Sequence, residues 1–270
     1  MKNQRTKHIL ELINDRYPEH GMLLQALTDR DPVAMTALFK LDNEKSKDYI
    51  GYNDDEDLDL FEPVPEIYDA FNMLETLVTP MSSDLVYTGI GARKTPSAEC
   101  AYMTKMATRL EAIGFLLRSG AANGADNAFE SGVHHPDNLE SYLPWKGFNH
   151  SKSERYSPSE EAFLIARILH PNGFSLNKTA LALMARNGHQ VLGKNLDDPV
   201  NFVVCYTPDG LESAQHRSRE SGGTGQAIEL ADLYGIPVYN LKNDDAILRL
   251  TEHVNMIAPQ LKSESKKMTP

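Results

Sequence analysis

Residues 221–229, Ser-Gly-Gly-Thr-Gly-Gln-Ala-Ile-Glu, decide how the chain is expected to fold. An apolar run at residues 200–207 precedes this stretch, and a second apolar run at residues 236–241 follows it. From Ala227 to the stop at Gly235, the apolar residues have the spacing of a helix. Strand, glycine-rich turn, helix and strand make the βαβ unit of a parallel sheet.

This glycine-rich turn predicts an anion site. Glycines leave backbone N–H groups open, and the N-terminus of a helix carries partial positive charge, so a phosphate is the natural ligand. Glu229 follows about one helical turn later and is our candidate for a catalytic carboxylate. The phosphate-binding candidates in this turn are Gly222, Gly223, Thr224 and Gly225.

Two further glycine-rich turns follow predicted strands and precede predicted helices. The strand at 85–90 leads into GIGARKTP at 89–96, after which Ser97 is expected to cap a helix. The strand at 115–118 leads into SGAANGAD at 119–126 and a short helix. All such turns lie on the carboxyl edge of a parallel doubly wound sheet, so we expect the three to converge on one crevice. That convergence predicts a nucleotide-sized ligand.

These turns supply the remaining site candidates. Asp126 and Glu130 share a helix face, and either is a candidate second carboxylate; a structural role for Asp126 at the helix dipole is equally open. Arg186, on a helix predicted at 178–191, is either a phosphate clamp or a solvated arginine. The other phosphate-binding candidates are Gly89, Gly91, Arg93, Lys94, Ser119, Gly120 and Asn123.

Composition and charge limit the kinds of partner. The chain has 270 residues, 41% hydrophobic and 24% charged, and no apolar run reaches the ~20 residues of a membrane span. Its 27 Lys and Arg residues against 38 Asp and Glu residues give a net charge of −11. Because cations drive binding to nucleic acid, we do not expect a nucleic-acid partner. A local basic site for one phosphate is compatible with this charge.

Cysteine and histidine placement indicates the compartment and argues against metal. Cys100 and Cys205 lie in apolar segments without CxxC spacing, which favours a reducing cytoplasm and gives no zinc motif. Charges interrupt the apolar residues at the start of the chain, so no secretory signal is expected. His134, His135 and His150 lack the spacing and carboxylate partner of a metal site, and we expect neither metal nor cofactor.

The chain divides into three predicted parts. Residues 1–80 read as a mostly helical extension with an acidic run at 54–62, either a solvated loop or a face for a basic partner. Residues 81–260 read as a Rossmann-like α/β domain with a doubly wound, mainly parallel sheet, and residues 261–270 as a disordered tail. A third strand is predicted at 142–145.

Four segments together resemble the SLOG superfamily of Rossmann-like proteins, over roughly residues 84–245. They are YTGIGARKTP at 87–96, SGAANGADNAFESG at 119–132, MARNGHQVLG at 184–193 and GGTGQAIELADLYGIPVYNL at 222–241. That superfamily includes the Lonely Guy phosphoribohydrolases, the DNA-processing recombination mediators and many phage-encoded relatives. The likeness is to a phage-type member.

The phosphoribohydrolases carry Pro-Gly-Gly-x-Gly-Thr-x-x-Glu. The glycines and Glu229 agree in spacing, whereas Ser221 and Gln226 replace the proline and the threonine. Those enzymes also place an arginine in a Met-x-x-Arg-type helix, which Met184-Ala185-Arg186 resembles with one residue fewer.

The resemblance implies a nucleotide-binding protein that hydrolyses the N-glycosidic bond of a nucleoside 5′-monophosphate or a related nucleotide. In an oxocarbenium-like transition state, Glu229 stabilises the positive charge and orients water. Two alternatives stay open: a non-catalytic nucleotide sensor or sequestering protein, which Gln226 favours, and a recombination-mediator-like single-stranded-DNA-binding protein, which the acidic charge opposes. Relatives are often dimers, so a second copy of the chain is an expected partner.

Overall fold

The computed structural model describes residues 85–258, apart from residues 171, 172 and 174. Five strands form one sheet in the order β3-β2-β1-β4-β5, and every neighbouring pair is parallel. The strands are β1 (Val86–Gly91), β2 (Leu116–Ser119), β3 (Leu139–Ser141), β4 (Phe202–Tyr206) and β5 (Val238–Asn240). This is the predicted Rossmann-like α/β fold, and its switch point lies between β1 and β4.

Within the described residues, six α-helices connect or follow the strands. Ser159 caps α3 by accepting the N–H of Ala162 at 3.3 Å, and Asn177 caps α4 by accepting the N–H of Ala180 at 2.8 Å. The helices are α1 (Ser97–Ala112), α2 (Ala125–Glu130), α3 (Glu160–Leu169), α4 (Lys178–Leu192), α5 (Thr224–Leu233) and α6 (Ala246–Ile257).

The helices cover both faces of the sheet, which gives two hydrophobic cores. Phe202 and Val204 of β4 belong to the core shared with α1, α2 and α6. Val203 and Cys205 belong to the core shared with α3, α4 and α5. All residues of β4 are buried, as a central strand covered on both faces requires.

The prediction of a third strand at 142–145 is wrong. β3 pairs with β2 three residues earlier, and an ion pair of 2.8 Å between Arg118 and Glu140 spans that pairing. The chain then leaves the sheet: Leu143 forms an isolated bridge with Tyr156, and Pro144 has no N–H with which to extend a ladder. Because β3 is short and contains the charged Glu140, it has no apolar run from which the sequence could predict it.

The expected cap of α1 is also corrected. Ser97 is the first residue of the helix, and Pro96 occupies the cap position without a side-chain hydrogen bond. The preceding turn is closed instead by Thr95, whose hydroxyl donates to the carbonyl of Ala92 at 2.6 Å. The fixed φ of proline sets the entry into the helix.

Some predictions fall on other parts of the chain. The extension at 1–80, with its acidic run, and the tail at 261–270 lie outside the described residues. Within the described part, every helix is too short or too polar to cross a lipid bilayer.

Candidate functional site

The first glycine-rich turn begins at the end of β1. A Cβ atom on Gly89 would lie 2.6 Å from the ring of Phe129, and one on Gly91 would lie 2.7 Å from a side chain of α2. These two glycines therefore let α2 pack closely against β1. Arg93 and Lys94 follow in the turn and are exposed to solvent, so they are its available cations.

The second turn, between β2 and α2, touches the first. The hydroxyl of Ser119 donates to the carbonyl of Gly89 at 2.8 Å. Gly124 has a φ of +83°, and a Cβ atom there would lie 2.5 Å from the carbonyl oxygen of Ala92. The N–H of Ala125 donates to that same carbonyl at 3.4 Å. The structure thus brings two of the three predicted turns into direct contact.

Arg186 reaches the second turn from α4. Its Nη1 lies 3.0 Å from Oδ2 of Asp126, and both side chains are buried. The same nitrogen lies over Gly120, only 1.2 Å from the position that a Cβ atom would take. Any side chain at position 120 would therefore displace the guanidinium. Burial raises the pKa of Asp126, and the charge of Arg186 opposes that rise.

Two buried polar groups beside Gly120 have no hydrogen-bond partner among the residues that the structure describes. The side-chain amide of Gln190 is fully buried, and its Nε2 lies 2.7 Å from the Cβ position of Gly120. Nε of Arg186 is the second such group. Because buried polar atoms are nearly always paired, these groups have hydrogen-bonding capacity for a polar ligand.

The third turn is attached to the same helix. The side-chain amide of Asn187 donates to the carbonyl of Gly223 at 2.9 Å. Gly222 is exposed with a φ of +53°, and Thr224 is the first residue of α5. Since Arg186 and Asn187 are consecutive on α4, that helix holds the second and third turns together.

Glu229, predicted to be catalytic, is buried and ion-paired with Arg217. Nη1 of Arg217 also donates to the carbonyl of Leu169 at 2.9 Å, and a Cβ atom on Gly225 would lie 3.1 Å from its Nε. Arg217 thereby joins the segment at 207–223 to α3 and α5. Sequence reasoning missed this arginine, because a long segment between a strand and a helix carries no periodicity that shows which side chains turn inward.

Glu130 lies beneath the second turn. Its Oε1 accepts the N–H of Ala121 and the hydroxyl of Ser141, each at 2.8 Å. Ala121 has a φ of +55°, which is rare outside glycine, so Glu130 supports a strained residue of the turn. Burial raises the pKa of Glu130, and the nearby charge of Asp126 adds to the rise.

Asn123, at the exposed tip of the second turn, meets the segment that follows β3. The side-chain amide of Asn149 donates to the carbonyl of Ala121 at 2.8 Å and lies 3.4 Å from the side-chain oxygen of Asn123. Residues 142–158 therefore border the second turn.

The edge contains two buried arginine–carboxylate pairs, Arg186 with Asp126 and Arg217 with Glu229. Within the described residues, no three His, Cys, Asp or Glu side chains cluster as a metal ion requires. The edge therefore carries two guanidinium groups, each held by a carboxylate.

Comparisons with known proteins give limited matches. No family model matches the chain, and no curated protein matches it. A solved structure of DNA processing protein A from Helicobacter pylori is similar over 75% of this chain and 95% of that chain, with 16% sequence identity and a TM-score of 0.39. That protein is described as having a unique single-stranded DNA binding mode.

The expectation that nucleic acid is not a partner is corrected here. The Helicobacter protein that this chain matches is described as binding single-stranded DNA. The whole-chain charge on which the expectation rested is also unevenly distributed. Residues 1–84 carry 8 Lys and Arg against 18 Asp and Glu, whereas residues 85–258 carry 16 against 19. The acidic excess therefore belongs mainly to another part of the chain and does not exclude nucleic acid from the α/β domain.

Proposed function

We propose that the carboxyl edge of the sheet binds a nucleotide through its phosphate. The observation that carries this proposal is the buried guanidinium of Arg186, which Asp126 holds against Gly120 where α4 meets the second turn. Its Nε and the amide of Gln190 supply further hydrogen-bonding groups. The N-terminus of α5, tied to α4 through Asn187, adds partial positive charge.

Calorimetry with nucleoside 5′-monophosphates and the matching nucleosides tests this proposal. We expect the monophosphates to bind and the nucleosides to bind much more weakly, because a phosphate accepts charge-assisted hydrogen bonds. Arg186→Lys should weaken monophosphate binding roughly 10- to 150-fold, the effect of losing a hydrogen bond to a charged group. Equal affinity for nucleoside and monophosphate would remove the proposal.

A matched control is Arg118→Lys. Arg118 is also a buried arginine in ion pairs, with Glu140 and Asp198. It lies on β2, and its guanidinium packs beside Gly193 at the end of α4 rather than over Gly120. This variant should lose thermal stability as Arg186→Lys does and still bind the monophosphate as the unmodified chain does. Equal losses of affinity in both variants would show that Arg186 acts only through stability.

Hydrolysis of the N-glycosidic bond is a second candidate, favoured by Glu130, a carboxyl group beside the second turn whose pKa burial raises. A raised pKa suits a carboxyl group to the role of general acid, which donates a proton to the leaving base as the C1′–N bond breaks. Water then adds to C1′ and loses a proton, while the carboxylate of Glu229 stabilises the oxocarbenium-like charge. The products are the free base and the sugar 5-phosphate.

Chromatography of ribo- and deoxyribonucleoside monophosphates after incubation with the protein separates turnover from sequestration. Free base that appears with the unmodified chain, and disappears with Glu229→Gln, supports hydrolysis. Tight binding followed by recovery of intact nucleotide supports a non-catalytic sensor instead. Arg217→Gln is the control for Glu229→Gln, because each of the two substitutions breaks the same ion pair.

A further inference from the structure

Two exposed aromatic rings lie on the segment that borders the second turn. Trp145 and Tyr156 are each 38% exposed, and they are the aromatic members of the exposed large hydrophobic side chains in the described part of the chain. Both belong to residues 142–158, between β3 and α3. We call these two rings the stacking platform.

Contacts within the segment hold the two rings of the platform in place. Trp145 packs edge-to-face on the buried ring of Phe148, with centroids 5.1 Å apart and planes at 87°. The ammonium of Lys146 lies 5.7 Å from the centre of the Tyr156 ring. The N–H of Leu143 donates to the carbonyl of Arg155 at 2.8 Å, which ties the two ends of the segment together. The rings are therefore presented on a fixed surface.

The surroundings of the platform are basic, in contrast to the chain as a whole. Residues 142–158 contain Lys146, Lys152 and Arg155 against the single carboxylate Glu154, and Arg155 also pairs with Glu140 of β3 at 3.2 Å. Arg93 and Lys94 are exposed on the first turn, which contacts the second. Exposed cations beside exposed rings are the combination that binds the backbone and bases of a single strand.

The segment that carries the platform is hydrogen-bonded to the second turn, where the proposed phosphate site lies. Asn149, on the same segment as both rings, donates to the carbonyl of Ala121 at 2.8 Å. Ala121 follows Gly120, over which the guanidinium of Arg186 lies. A nucleic-acid strand whose phosphate sits at the second turn therefore meets the segment that carries both rings.

We infer that Trp145 and Tyr156 stack the bases of a single-stranded nucleic acid, one phosphate of which is held at the second turn. The inference rests on the proposed phosphate site and extends it to a ligand class. A free mononucleotide has one base and one phosphate, whereas the platform offers two rings and cations beyond the phosphate turn. Stacking on aromatic faces is tolerant of sequence, because every base has a π-face.

Trp145 is the single tryptophan of the chain, so tryptophan fluorescence reports on the platform. Titration of the full chain with an oligothymidylate of roughly 20 nucleotides should quench tryptophan fluorescence saturably, as a base stacks on the indole. The affinity should fall as salt rises, because the exposed Lys146 and Lys152 displace counterions from the phosphates of the oligonucleotide. Thymidine monophosphate should bind more weakly, and duplex DNA of the same sequence should not quench the signal.

Substitutions in the platform separate stacking from folding. Tyr156→Ala should weaken oligonucleotide binding roughly 5- to 150-fold, the effect of losing one base–aromatic stack, while Tyr156→Phe should bind like the unmodified chain. The matched control is Leu248→Ala, which removes an exposed apolar side chain from α6 on the other face of the sheet. It should leave the affinity unchanged.

Three outcomes would overturn the inference: no quenching by the oligonucleotide, unchanged affinity in Tyr156→Ala, or thymidine monophosphate that binds as tightly as the oligonucleotide. Failure of the phosphate site gives a different pattern. If Arg186→Lys leaves monophosphate binding intact while Tyr156→Ala weakens the oligonucleotide, the platform stands and the phosphate assignment falls.

Discussion

Nη1 of Arg186 occupies the space in which a side chain on Gly120 would begin, 1.2 Å from the Cβ position. Gly120→Ala should therefore force the guanidinium away from Asp126 and reduce nucleotide binding as strongly as Arg186→Lys does. Titration calorimetry with a nucleoside monophosphate measures this loss. Unchanged affinity in the alanine variant would show that ligand binding does not depend on the position of the guanidinium.

Gly188→Ala is the control for that substitution. Gly188 lies within α4, and a Cβ atom there would meet its nearest neighbours at ordinary contact distances of 3.5 and 3.8 Å. Because alanine favours a helix over glycine by about 1 kcal/mol, this variant should be at least as stable as the unmodified chain and should bind the ligand normally.

Asp126→Asn should lower the free energy of unfolding by about 3–5 kcal/mol, because it leaves the buried charge of Arg186 without its partner. Denaturant unfolding followed by circular dichroism measures the change. Asp245→Asn provides the comparison: its ion pair with Arg249 is exposed to solvent, so the same chemical change should leave stability almost unaltered. Similar losses in the two variants would contradict the burial argument.

His189 should make the fold less stable in mild acid. Its Nε2 accepts the N–H of Ser159 at 3.1 Å, and its Nδ1 lies 3.1 Å from the carbonyl of Gly193, which assigns the ring proton to Nδ1. Burial lowers the pKa of His189 below its ordinary value of 6.5, so the unfolded chain binds the proton more readily. The stability it contributes is complete above that value and is lost as pH falls below it.

The measurement is the free energy of unfolding from about pH 7 to about pH 5. The decline should be shallower in His189→Gln, which has no proton to gain, than in the unmodified chain. The pKa of His170 is lowered by burial to about 3, so this residue also makes the free energy of unfolding depend on pH. Its contribution remains in His189→Gln. Replacement of the exposed His216 by glutamine is the control, and an equal flattening there would contradict the assignment to His189.

Asn149 should fix the segment at 142–158 to the second turn without contributing much to global stability. Asn149→Gly removes the hydrogen bond to Ala121 but accommodates the φ of +48° at this position. We expect faster amide exchange across residues 142–158 and a nearly unchanged midpoint of unfolding. Asn149→Ala, which adds backbone strain to the same loss, should be the less stable of the two. Unaltered exchange in the glycine variant would show that the segment is held elsewhere.

The sequence was informative where a pattern repeats and uninformative where two distant side chains pair. Helix α4 ends within one residue of its predicted bounds of 178–191. The apolar runs before the second glycine turn and before residues 207–223 became β2 and β4, because periodicity and turn chemistry are local. The partner of Arg186 is sixty residues away along the chain, and that of Glu229 lies in a segment without periodicity. Neither pairing has a local signal.

The error at β3 has the same origin. A strand of three residues with Glu140 at its centre is specified by its partner Arg118 on β2, so its position depends on a tertiary ion pair. The spacing of the glycines in β1 also has a tertiary cause. Their spacing suggested phosphate binding, whereas Gly89 and Gly91 are also required by the close approach of α2.

The side chains of Arg186 and Asn187 leave α4 about 100° apart, as consecutive helical residues must, and so they grip two different turns. A rigid helix cannot shift or rotate at the Arg186 contact without also moving the Asn187 contact. We therefore expect a ligand that moves Arg186 at the second turn to shift the position of the third turn as well, because both contacts are made by consecutive residues of one helix.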